Sequence, residues 1–167
     1  MVNIIRKNAI DSHDSKSWLV ELIISIISYL FSFIHLGKMS EINLLTAGSN
    51  AEKLVVDRLN NREQLQRARI HPFNVLVALE TYKRGQGFKG KLTWQVSDQI
   101  KNALESAFYL SFKFVKPTNQ RYLLALDVSG SMSCGTINGS PSITPAVGSC
   151  AMCMVTLRTE PYAKVSQ

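Results

Sequence analysis

Pro117 divides this chain into two halves with different hydrophobic periods. Up to residue 112 the apolar positions recur at helical spacing. From Arg121 they run without interruption, Tyr122-Leu123-Leu124-Ala125-Leu126, as in a buried strand of a parallel sheet. Proline also excludes Lys116 from helical geometry. Lys116 to Gln120 therefore reads as a linker between two kinds of structure.

The first half reads as helix after helix with short connections, as in an α-solenoid. Ser49 or Asn50 starts a helix carrying Leu54, Val55 and Leu59, and Asn60-Asn61 ends it. Arg62 to Ala68 forms a short polar helix with Leu65. Pro72 opens a third helix at its first position. There Phe73, Val75, Leu76, Val77, Leu79 and Tyr82 surround most of the circumference, the pattern of a central helix. Gly85-Gln86-Gly87 ends it. Ser97 caps a fourth helix, Asp98 to Phe112, with Ile100, Ala103, Leu104, Ala107, Phe108 and Leu110 inward. His71, just before Pro72, reads as structural.

The second half places Asp127-Val128-Ser129-Gly130-Ser131 at the carboxyl end of its strand, where open α/β sheets bind ligands. A carboxylate and two hydroxyls are hard oxygen ligands suited to Mg2+, Mn2+ or Ca2+. Alternation puts Ser129 and Ser131 on the side of Asp127, and Gly130 allows a tight turn. A loop rich in Gly and Ser follows. Thr144-Pro145 then caps a helix running to about Arg158, Pro161 stops it, and Tyr162 to Val165 begins a second strand. Strand, oxygen-rich loop and helix make the first half of a βαβ unit.

Two segments stand apart. Trp18 to Ile34 is almost uncharged. It reads as a buried helix, a membrane anchor or a signal-like segment behind Arg6, Lys7 and Lys16; Glu21 and three serines argue against the anchor, and Asp11, Asp14 and Glu21 against the signal. Cys150-Ala-Met-Cys153 has the spacing of a redox or zinc site, but no second Cys/His pair accompanies it, and it reads as inert helix core. Three cysteines in all suggest a reducing compartment.

Net charge is +7 and unevenly spread. Residues 40–120 hold twelve Lys/Arg against seven Asp/Glu, so the helical segment is where a polyanion would be steered. Lys83, Arg84, Lys89 and Lys91 cluster around a Gly-containing loop with Phe88 and Trp94. The cations suit phosphates. The aromatics either stack on bases or pack the helix ends. No Ser/His/Asp, carboxylate-pair or phosphate-loop constellation points to an enzyme.

The run Arg69-Ile-His-Pro-Phe-Asn-Val-Leu-Val-Ala-Leu-Glu-Thr-Tyr-Lys83, then Gly85-x-Gly87, Gly90-Lys-Leu-x-Trp94, Ala107-Phe-Tyr109, Arg121 to Ser129 and Ala151 to Val155 resembles the Ro ribonucleoprotein family. The similarity covers Leu36 to Glu160; residues 1–35 and 140–149 depart from it. It implies a mainly α fold: HEAT-like helical repeats of a TROVE module, followed by an incomplete α/β von Willebrand factor A domain. The implied boundaries are 1–35 for a divergent apolar helix, 36–116 for the carboxyl-terminal part of the TROVE module and 117–167 for the start of the A domain. The family's ring binds small noncoding Y RNAs outside and the single-stranded ends of misfolded RNAs in its hole. The resemblance implies a non-enzymatic, cytoplasmic and also nuclear RNA-binding component, in a truncated form with impaired binding. Asp127, Ser129 and Ser131 match the first loop of the family's metal-ion-dependent adhesion site for Mg2+ or Mn2+. The later Thr and Asp ligands are not reached before Gln167, so the site is expected to be incomplete. The competing expectation is a membrane-tethered or protein-interaction fragment that binds no RNA.

Overall fold

The computed structural model describes residues 29–68, 70–87, 91–138 and 140–166. Helix α1 spans Tyr29–Glu41, α2 Asn50–Leu59, α3 Arg62–Ala68, α4 Pro72–Arg84 and α5 Asp98–Ser111. A 3-10 turn, Phe112–Phe114, leads into β1, Arg121–Ala125. A second 3-10 turn, Gly130–Ser133, precedes α6, Pro145–Thr159, and β2, Tyr162–Ser166. The described residues are thus mainly helical, with one small sheet.

Local chemistry explains most helix boundaries. The Ser49, Ser97 and Thr144 side chains accept backbone N–H groups two or three residues inside α2, α5 and α6. His71 does the same for α4: its Nδ1 accepts the Phe73 N–H at 3.2 Å, which gives the residue a structural task. Gly85 ends α4 with φ at 67°, a left-handed conformation that favours glycine.

Helix α4 packs along α5, while α2 and α3 lie against α5 and α1 against α3 and α4. Val75, Leu79 and Tyr82 from α4 join Ile100, Leu104 and Ala107 from α5 in one core. Burying each large side chain there contributes about 2 kcal/mol. Phe73 and Val77 are only half-buried, so α4 is central on one side rather than all round.

The apolar run from Trp18 straddles the limit of the described residues, and Trp18 to Ser28 lies outside them. Its final part forms the start of α1, where Leu36 and Met39 are buried. Among the described residues no helix is long and apolar enough to cross a membrane.

β1 and β2 pair in parallel, with Tyr122 opposite Ala163 and Leu124 opposite Val165. The expectation of a buried strand is corrected here. Leu123 is 75% exposed, and exposed positions alternate with half-buried ones along β1. Helix α6 packs on the sheet, and the alternate positions of β1 stay exposed on one face. The same one-sided packing corrects the reading of the cysteine pair: Cys153 is buried, but Cys150 is exposed.

The two halves are joined by specific contacts. Arg84 Nη1 donates to the Pro141 carbonyl at 3.2 Å, and the Thr81 and Ser142 hydroxyls lie 3.3 Å apart. Ile143 is fully buried and belongs to the same core as the helices. The linker is fastened by the Glu160 carboxylate, which accepts the Thr118 N–H at 2.7 Å, the Thr118 hydroxyl at 2.8 Å and the Asn119 N–H at 2.9 Å.

Candidate nucleic-acid interface and oxygen-ligand loop

The described residues of the basic segment after α4 pair as the base of a narrow hairpin. Gln86 and Thr93 form an antiparallel bridge; the Gly87 N–H donates to the Leu92 carbonyl at 2.9 Å and the Trp94 N–H to the Gly85 carbonyl at 3.0 Å. Lys91 is exposed on the returning arm. Phe88 and Lys89 lie outside the described residues.

The other two cations have intramolecular partners. Lys83 Nζ lies 3.3 Å from Glu80 Oε1 and 3.2 Å from Glu105 Oε1. Partial burial alone would lower its pKa, but the hydrogen bonds and charges of Glu105 and Glu80 outweigh this and raise it. Its positive charge is therefore secure, yet a phosphate would compete for it with two carboxylates. Arg84 is exposed and spends one donor on Pro141. A guanidinium carries five N–H groups, so most remain for an anion.

Trp94 is a packing residue, not a base platform. Its indole N–H donates to the Tyr82 carbonyl at 3.1 Å, and the two rings lie 6.2 Å apart at 23°. A Cβ on Gly37 would approach the indole to 2.5 Å. Helix α1 thus brings bare backbone against that ring.

A buried polar chain behind the hairpin was not read from the sequence. Glu52 is fully buried; it accepts the Gly48 N–H at 2.6 Å and also the Ser97 hydroxyl. Ser97 N–H donates to the Tyr82 hydroxyl at 3.2 Å, which meets Ser40 Oγ at 3.3 Å. One signal for it was present: Ser49-x-x-Glu52 has the form of a capping box. The long-range half, from Glu52 to Ser97, has no local signature.

The oxygen-ligand loop gathers its three residues. Asp127 Oδ1 accepts the Ser129 N–H at 2.9 Å, and Ser129 and Ser131 Oγ lie 3.0 Å apart. The Ser129 backbone N–H, and then its hydroxyl, hold the Asp127 carboxyl below its usual range, so the group is anionic near neutrality. All three side chains are exposed. Gly130 does not have a left-handed φ, and a Cβ there would meet nothing within 4 Å, so the turn does not depend on glycine. An anionic carboxylate with two nearby hydroxyls fits a hard divalent cation in donor type and charge. Among the described residues, no group of three or more His, Cys, Asp or Glu side chains could add a separate metal site.

The Ro60 vWA domain family matches residues 121–167. The RNA-binding protein RO60 of Deinococcus radiodurans is 45% identical over 130 residues, which are 77% of this chain and 24% of that protein. The RNA-binding protein RO60 of Caenorhabditis elegans is 49% identical over 87 residues, 52% of this chain and 13% of that protein. The crystal structure of the Deinococcus radiodurans Ro protein superposes with a TM-score of 0.80 at 41% identity, covering 85% of this chain and 29% of that one. The chain therefore spans about a quarter or less of the curated relatives it matches.

Proposed function

We propose, from the premise that this chain belongs to the Ro family of RNA-binding proteins, that it binds RNA through the basic hairpin and the helical surface around it. The observation that supports this most is the exposure of Lys91 and Arg84 at one end of α4, within a segment with five more cations than acids. Phosphate contacts of this kind position RNA without reading its sequence. Y RNAs and the ends of misfolded RNAs are the partners this reading takes from the family, and the role is RNA quality control as a non-enzymatic ribonucleoprotein component. The compartment is cytoplasmic, and also nuclear. Lys83 contributes field rather than a free ligand, because Glu80 and Glu105 already hold it.

The proposed division places residues 36–116 in a HEAT-like TROVE segment and 117–167 in the first part of a von Willebrand A domain, with 1–35 diverging in sequence although Tyr29 to His35 continue into α1. In that second part Asp127, Ser129 and Ser131 would supply three oxygen ligands to Mg2+ or Mn2+. The cation would add positive charge and order to the loop.

Labelled structured RNA, titrated with the chain at two salt concentrations, tests the main reading. Binding at low salt that weakens steeply with added salt is expected, because phosphate contacts release counterions. Absence of binding at low salt would overturn it.

A further inference from the structure

An isolated two-stranded hairpin is marginal in water. The direction in which this one presents Lys91 must therefore come from what holds its base. The returning arm is held at two points three residues apart. At Trp94 the indole stacks on Tyr82, donates to the Tyr82 carbonyl and lies against the bare backbone of Gly37. At Ser97 the N–H donates to the Tyr82 hydroxyl and the side chain donates to Glu52. Gly37, Glu52 and Tyr82 come from α1, α2 and α4, and all three are buried. None can touch RNA itself.

We infer that Gly37, Glu52 and Tyr82 are positioning residues for RNA binding, forming a seat for Trp94 and Ser97 that fixes the orientation of the basic hairpin. This rests on the reading that Lys91 meets RNA phosphate. The seat shares Tyr82 with the core below it. The Val75, Ile100 and Leu104 contacts would hold α4 and α5 together without it, whereas the described residues of the hairpin are joined to each other by a few backbone bonds.

Two variants of the full chain separate orientation from stability. Gly37→Ala inserts a methyl where the indole lies, in a helix where alanine is the better helix former. Tyr82→Phe keeps the stacked ring and removes only the hydroxyl that holds Ser97 and Ser40. Amide hydrogen exchange at Gly87 and Trp94 should quicken about tenfold in both, as expected for local opening, while α4 and α5 stay protected. Affinity for labelled structured RNA at low salt should fall roughly fivefold, the equivalent of about one hydrogen bond. Lys91→Ala should cause a similar loss, and combining it with Gly37→Ala should add little, because both remove the same contact.

Unchanged exchange at Gly87 and Trp94 in both variants would overturn the inference. So would additive losses in the double variant, which would mark a general stability effect. If Lys91→Ala weakens binding but neither seat variant does, the positioning role alone fails. If Lys91→Ala binds RNA as the native chain does, the hairpin reading itself fails and the positioning role falls with it. The exchange rates then still report whether the seat anchors the hairpin.

Discussion

The Arg158 guanidinium lies 5.5 Å from the centre of the Phe112 ring and 5.7 Å from that of Tyr109. One cation near the end of α6 is thus set over two aromatic faces at the end of α5. This contact, with Arg84 on Pro141, ties the α/β half to the helical half.

Arg158→Ala should lower stability by about 0.5–1 kcal/mol, the range for a cation–π contact at an exposed site. Arg158→Lys should recover part of it, since the charge remains but the planar stacking is lost. Urea unfolding monitored by tryptophan fluorescence would measure both.

Ile143 tests the joint from its apolar side. It is fully buried, and Gly148 leaves room for it and Ile137 against α6. Ile143→Ala should cost about 2–5 kcal/mol through lost burial and a residual cavity, whereas Ile143→Val should cost about 0.5–1.5 kcal/mol. Equal, small effects in thermal melting would show that the turn is not part of the shared core.

Glu160 makes the linker sensitive to acid. The Thr118 N–H is the largest cause of its lowered pKa; partial desolvation opposes it, and the Thr118 hydroxyl and Asn119 N–H add to the lowering. A carboxyl whose folded pKa lies below its unfolded value stabilises the fold above the unfolded value of about 4.3. That stabilisation is lost as pH falls through the folded pKa. Glu160→Gln should therefore melt lower than the native chain at neutral pH and converge with it in acid. Parallel pH curves for the two would refute this account.

For the oxygen-ligand loop, submillimolar Mg2+ should leave the melting temperature unchanged. Three exposed oxygens carrying one carboxylate charge bind such an ion weakly, because Mg2+ demands six ligands and gives up water reluctantly. A rise in melting temperature that Asp127→Ala abolishes would show a competent site.

The legible parts of this fold were those whose causes lie within a few residues. Ser49, His71-Pro72, Gly85, Ser97 and Thr144-Pro145 mark helix ends because caps act over two or three positions. The D-x-S-x-S reading gathered its three side chains for the same reason. Trp94 had two readings until its neighbours were known, since packing and base stacking suit the same side chain.

By itself the sequence determined the order of helices, the switch to a strand after Pro117 and the placing of basic charge, all consequences of local propensity and composition. Only the tertiary structure decided which side chains are free to act. Leu123 and Cys150 are exposed because one side of their element is bare, and Lys83 is engaged because α5 carries Glu105 to it. Burial and pairing depend on elements distant in the chain, and short-range patterns carry no record of which ones meet.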